Sequence, residues 1–274
     1  MIKWTKLSWL TVVWLLFFLA LPLLLLVALS FAQKGVYGGI DWTLNFVNYN
    51  RAFSWTHFRI FWRSVEWAFL AALICSVLSF GTCWILMTVR SNLRVTILGF
   101  LCLPALINVI IRLYALKNFV GTNGPWPQIL DLLSIPYDPQ ALTANPYLVL
   151  IGFILSYWPW ALLPLYASFE RMDFALVEAA QDLRANFLQV FRHILWPQLK
   201  LPCLSSFLLV FIPCLGEFVI PDILGGAKSM NFGNLLVDKF LKSRDWPLGA
   251  SLSIILIIGV VISFSFQKMN EERQ

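Results

Sequence analysis

Long apolar runs, separated by shorter polar stretches, dominate the pattern of this chain. A helix needs about 20 predominantly apolar residues to cross the hydrocarbon core of a bilayer. Six stretches meet that requirement, at 9–31, 64–89, 95–116, 147–169, 201–221 and 248–266. The pattern predicts an all-α integral membrane protein with about six transmembrane helices in a single domain covering 1–274. The first run ends in "SFA" (30–32), which has the small-x-small look of a cleavage site. Signal-peptide cores run about 7–15 residues, shorter than Trp9 to Phe31, so this run reads as a retained span. The connections 33–63, 117–146 and 222–247 are long and carry turn and interface signals such as "GGIDWT", "TNGPWPQ" and "RDWPLG". Trp42, Trp55, Trp126 and Trp246 fit an aromatic belt or surface-lying segments. In "FGNLLVDKFLKS" (232–243), Phe232, Leu235, Leu236 and Phe240 fall near helical spacing and predict a short amphipathic helix.

One segment between two apolar runs breaks the pattern. Glu178, Asp182, Arg184, Arg192 and His193 crowd into "EAAQDLRANFLQVFRHILWP" (178–197). Asp173 can cap a helix in which Leu176, Ala180 and Leu183 form one apolar face. Glu178 and Asp182 lie one turn apart, where like charges cost a few tenths of a kcal/mol. Asn186 with Gln189 three residues on predicts a capping box and a second helix. Phe187, Val190, Phe191, Ile194 and Leu195 give that helix an apolar stripe, and Pro197 and Pro202 bracket the start of the fifth run. The sequence therefore specifies helix, tight turn over Leu183-Arg184-Ala185, helix, within 173–200.

Composition supports the membrane reading. The chain is 59% hydrophobic and 12% charged, whereas soluble domains carry about 25% charged residues. The net charge of +6 is spread over single positions and not gathered in basic runs, which argues against nucleic-acid binding. With the N-terminus inside, ten Lys/Arg fall on the inner side and eight on longer outer loops. The shortest connection, Arg90 to Arg94, is doubly basic and favours that orientation. The five cysteines form no C-x-x-C pair and only two histidines are present, so no metal site is expected. "GGAKS" (225–229) lacks the G-x-x-x-x-G-K phosphate loop, and no Ser or Cys nucleophile has an identifiable His partner. No catalytic residue and no cofactor is expected in this chain.

Glu178-Ala179-Ala180, Asp182-Leu183, Ile194 and Pro197 resemble the EAA loop of ABC-importer permeases, in which E-A-A is followed at fixed spacing by Gly, Ile and Pro. Arg184 stands where that pattern has Gly. The stretches 103–124, 164–183, 216–234 and 234–254, with "RDWPLGA" above all, look like the permease subunits of spermidine/putrescine importers; the first 60 residues resemble them in layout only. The resemblance implies a type I importer permease fold in the bacterial inner membrane with both termini cytoplasmic. Segment 173–200 would be the cytoplasmic coupling element. It implies a second, related permease subunit, two cytoplasmic ATPases that bind ATP and Mg, and an extracytoplasmic polyamine-binding protein. Glu178, Ala179, Ala180, Asp182, Leu183, Arg184, Ile194 and Pro197 are then the candidate ATPase-coupling residues.

A pathway for a flexible polycation should offer carboxylates and aromatic faces. Glu217 is the first candidate, because it lies between Pro213 and Pro221, where the helix is expected to break. Asp222, Tyr114, Tyr157, Trp158 and Trp160 are further candidates, and Arg112 is a possible partner for Glu217. Arg63 and Glu66, three residues apart, are expected to pair. The same machine carrying another organic cation, an amino-acid-like molecule or an iron chelate is the alternative, and a membrane scaffold is a more distant one.

Overall fold

The computed structural model describes residues 6–35, 39–136, 138, 145–226 and 229–271; residues 227 and 228 of "GGAKS" lie outside this set. The residues form two compact units, one of Met1–Ile60 with Leu235–Phe264 and one of Phe61–Asn234 with Ser265–Gln274.

In the first unit, α1 (Lys6–Phe31) contributes an apolar stretch, Thr11–Phe31, with none of its hydrophobic window buried. A two-residue hairpin follows, β1 (Gln33–Lys34) against β2 (Ile40–Asp41), antiparallel with Gln33 opposite Asp41. The short helix α2 (Val47–Ala52) is fastened to the end of α1 by Asn48, whose amide donates to the carbonyls of Ser30 (3.0 Å) and Ala32 (2.6 Å). Arg51 pairs with the buried carboxylate of Asp245 at 2.6 Å, and Lys34 Nζ donates to the Ser243 carbonyl at 2.9 Å.

The long helix α3 (Trp55–Thr88) begins nine residues before the predicted apolar run. On it, Arg63 and Glu66 do not form the expected ion pair. Glu66 is exposed, and an exposed i,i+3 pair gains too little to hold two long side chains together.

The second unit is built around α7 (Pro146–Glu170), which starts with Pro at its first position and Asn145 accepting from the Tyr147 N–H at 2.9 Å. Half of its apolar window is buried, the largest share of any span. It packs along α10 (Trp196–Gly216), where the Ser206 hydroxyl donates to the Ala161 carbonyl at 2.8 Å, and against α4 (Ser91–Leu106) and α11 (Val219–Leu224). Gly152 sets one of these approaches: a Cβ there would stand 2.6 Å from Leu224 Cδ1 and 2.8 Å from Ile220 Cγ2.

The apolar run 95–116, read as one span, is divided between α4 and α5 (Val109–Val120), which continues through α6 (Pro125–Leu132); the chain turns by 90° at the break. Pro104 deprives the last turn of α4 of a donor. Asn108 then caps the new helix through its side chain, which accepts from the Ile110 N–H at 2.9 Å.

The predicted amphipathic helix at 232–243 is present as α12 (Phe232–Val237), continued by a wider π turn over Asp238–Lys242. The last helix, α13 (Trp246–Glu271), carries a shorter apolar stretch, Trp246–Ile262.

Candidate functional site

The charged segment folds as helix, turn, helix. In α8 (Ala175–Asp182) the Asp173 carboxylate accepts from the Ala175 N–H at 3.0 Å. At its C-terminal end, the Arg184 N–H donates to the Gln181 carbonyl (2.8 Å) and the Ala185 N–H to the Ala180 carbonyl (3.0 Å). This bond pair closes a helix when the residue that donates the first of the two bonds turns left-handed. Arg184 does so, with φ 60°, although an L residue with a Cβ gives up roughly 1 kcal/mol there. Ala180 and Ala185, brought together by the closure, pack against the same buried cluster.

The second helix, α9 (Phe187–Val190), starts with the full capping box: Asn186 Oδ1 accepts from the Gln189 N–H (2.9 Å) and Gln189 Oε1 from the Asn186 N–H (2.8 Å). A π turn over Phe191–Leu195 carries it into α10, so that helix runs for 30 residues from Phe187 to Gly216.

The inward face of α8 differs from the expected one. Val177 is buried (4% exposed), whereas Leu176 and Leu183 are 50% and 84% exposed. Phe174, Val177 and Ala180, spaced by three, meet Cys83, Leu86 and Met87 of α3 and Leu165, Phe169 and Met172 in and after α7. The choice follows from what is available to cover each face. The ends of α3 and α7 meet Val177, while Leu176 and Leu183 turn away with Glu178, Ala179 and Asp182, all exposed. Of the stripe expected on the second helix, Val190 and Leu195 are buried and Phe191 and Ile194 half-buried. Phe187 is exposed but sets its ring edge-on to Trp84 at 5.8 Å. Pro197 occupies the first turn of α10 and is exposed.

The second region lies where two helix breaks and α7 meet. α10 ends at Glu217, whose backbone is extended (φ −68°, ψ 129°), before α11 begins. Together with the α4–α5 break it bounds a cavity of about 350 Å³ lined by Leu106, Asn108, Arg112, Ser156, Tyr157, Trp160 and Glu217, among others. Glu217 Oε1 accepts from the Val219 N–H at 2.9 Å, and the Tyr157 hydroxyl donates to Oε2 at 2.6 Å. Arg112 does not pair with Glu217; its guanidinium donates to the Pro104 carbonyl at the end of α4, and its Nε has no partner. The Ser156 hydroxyl is likewise buried without a partner.

Of the six candidate pathway residues, the structure brings Glu217, Tyr157 and Trp160 together. Tyr114, Trp158 and Asp222 do not line this cavity; Tyr114 and Asp222 are exposed, and the Trp158 indole N–H is buried without a partner. Ser156 and Asn108 were missed. A serine inside an apolar run carries no sequence signal of its own. Asn108, a polar residue four positions after Pro104 in an apolar run, carries one.

Residues 88–274 match the family model described as binding-protein-dependent transport system inner membrane component. Over 245 residues the chain is 35% identical to the spermidine/putrescine transport system permease protein PotB of Escherichia coli, covering 89% of each. It is 30% identical over 259 residues to the protein of the same description from Haemophilus influenzae, covering 94% of this chain and 91% of that one. Among solved structures, a chain of a bacterial ABC transporter involved in the import of the acidic polysaccharide alginate superposes with a TM-score of 0.71 at 15% identity, covering 96% of this chain and 92% of that one. A chain of the methionine ABC transporter MetNI in an inward-facing conformation gives 0.56 at 14% identity, covering 77% and 92%.

Proposed function

Since the chain belongs to the family of binding-protein-dependent transport system inner membrane components, we propose that it forms the translocation path for spermidine and putrescine in an ATP-driven importer. The fold is the expected one, an all-α importer permease. The observation that carries the substrate class is Glu217. A carboxylate at a helix break inside the span, next to the Tyr157 hydroxyl and the half-exposed Trp160 ring, offers an ammonium a charge partner and an aromatic wall. The similarity to the polyamine permeases over nearly the full chain supports the same substrate class.

On this reading, the chain works beside a second related permease subunit, with two ATPases inside and a polyamine-binding protein outside. ATP and Mg are held by the ATPases, and the permease takes no part in hydrolysis. Segment 173–200 faces the cytoplasm, as do both termini, and the face of Leu176, Glu178, Ala179, Asp182 and Leu183 docks on an ATPase. Its exposure supports this, because leucines left uncovered beside two carboxylates suit a soluble partner and not lipid. Closure of the ATPase pair shifts the permease between inward and outward states, and each ligand moves that equilibrium only through its different affinity for the two.

Uptake of labelled spermidine and putrescine into vesicles holding the whole complex tests the proposal. ATP-dependent accumulation of either is the expected result, and accumulation of neither removes the polyamine reading. Arg112 in the same cavity favours the alternative of an amino-acid-like substrate, whose carboxylate it would meet; labelled amino acids in the same assay decide between the two.

A further inference from the structure

We infer that Glu217 and Ser156 form a subsite for a single ammonium group, so that this chain grips one amine end of its substrate and leaves the rest of the molecule to another surface. The inference rests on the polyamine reading above and adds a residue and a stoichiometry to it. Ser156 is 5% exposed, lines the cavity, and its hydroxyl has no hydrogen-bond partner. It stands next to Tyr157, which holds Glu217 Oε2 from the same stretch of α7. A buried hydroxyl without a partner calls for an explanation, and among the serines in that state Ser156 is the one in this cavity's lining. An ammonium has three donors and no acceptor. It matches a site made of a carboxylate and a hydroxyl oxygen, both of which accept.

The number of ammonium groups follows from the charges. Among the described residues lining the cavity, Glu217 is the one carboxylate. The next acidic residue along the chain, Asp222, is exposed and lies outside the lining. In the same lining, the guanidinium of Arg112 is tied to the carbonyl end of α4. A first ammonium finds its charge partner in Glu217, while a second would meet the Arg112 cation with no anion to offset it. The methylene stem can run along the exposed face of Trp160, and the remaining amines must be neutralised outside this cavity, by the second permease subunit of the proposed complex.

The test is equilibrium dialysis on the complex purified through this chain without its binding protein, using labelled spermidine, labelled putrescine and n-butylamine as a one-ammonium competitor. Ser156→Ala is expected to raise Kd for all three by the same factor, on the order of tenfold, as a hydrogen bond to a charged group is lost. Ser156→Thr, which keeps the hydroxyl, should restore most of the affinity, a recovery that a purely packing role for Ser156 would not give. A change for spermidine alone, no change for any ligand, or failure of n-butylamine to compete overturns the subsite. Vesicle uptake separates the two claims: transport by the wild type with unaltered binding in Ser156→Ala removes the subsite only, and no polyamine transport by the wild type removes the reading beneath it.

Discussion

The helical pattern of this membrane chain is interrupted in two contrasting ways. At the turn between α8 and α9, the interruption is closed by hydrogen bonds within the segment itself. The backbone bonds around Arg184 close one helix, and the Asn186–Gln189 box opens the next. At the breaks after Leu106 and at Glu217, the closure is incomplete: Arg112 Nε and the Ser156 hydroxyl are buried without partners beside a carboxylate. A self-satisfied interruption defines a shape, which suits a part that must be presented to a partner. An interruption with spare polar groups holds chemistry in reserve, at the cost of the desolvation those groups carry when the cavity is empty.

The contrast is sharpest at Glu217. Glu217→Gln keeps the size and the acceptor toward Val219 but removes the charge. Polyamine uptake by vesicles should fall by roughly tenfold to a hundredfold, the range of a lost charge-assisted hydrogen bond, with the complex still recovered intact on gel filtration. Uptake at the wild-type rate would take the open break out of the pathway. Gly152→Leu comes next. Its side chain must displace Leu224 and Ile220, so the second unit should lose about 1–3 kcal/mol, read as a fall in the unfolding midpoint in detergent.

The closed turn should respond more weakly and without loss of substrate binding. Asn186→Ala removes one arm of the capping box and should cost about 1 kcal/mol, seen as faster hydrogen exchange at the Gln189 amide. Arg184→Gly should have the smallest effect, near zero to about 1 kcal/mol of stabilisation, because relief of the left-handed strain is offset by the greater freedom of Gly in the unfolded chain. The unfolding midpoint would stay or rise slightly. If the variant instead fails to recover an ATPase on co-purification, Arg184 is a docking contact and the turn is more than a shape.

What could be read from the sequence divides along the same line. The closed turn was legible almost residue by residue, since caps and turn positions depend on neighbours in the chain. Asp173 and the Asn186–Gln189 pair do what local chemistry dictates, and Arg184 takes the left-handed turn at the position where the family pattern has Gly. The buried face of α8 was not legible. Leu176 and Val177 are equally apolar, and only the arrangement of α3 and α7 decides that Val177 goes inside. The break inside 95–116 leaves no mark in the hydropathy pattern, because apolar residues on both sides of Asn108 satisfy a hydropathy window whether or not the backbone turns. Ser156 acquires meaning only once α7, α5 and the α10–α11 break are placed together.

The helix from Phe187 to Gly216 joins these two places directly. It begins one residue after the capping asparagine and ends one residue before Glu217. Thirty residues at 1.5 Å each make it about 45 Å long, so a tilt of about ten degrees at the turn would sweep its far end by on the order of 8 Å. The π turn over Phe191–Leu195 and the prolines at 202 and 213 are the points along it with the least stiffness. If the turn docks on an ATPase as proposed, the segment is a lever with its handle at the turn and its tip at the carboxylate, and those weak points would set how much of a push at one end arrives at the other.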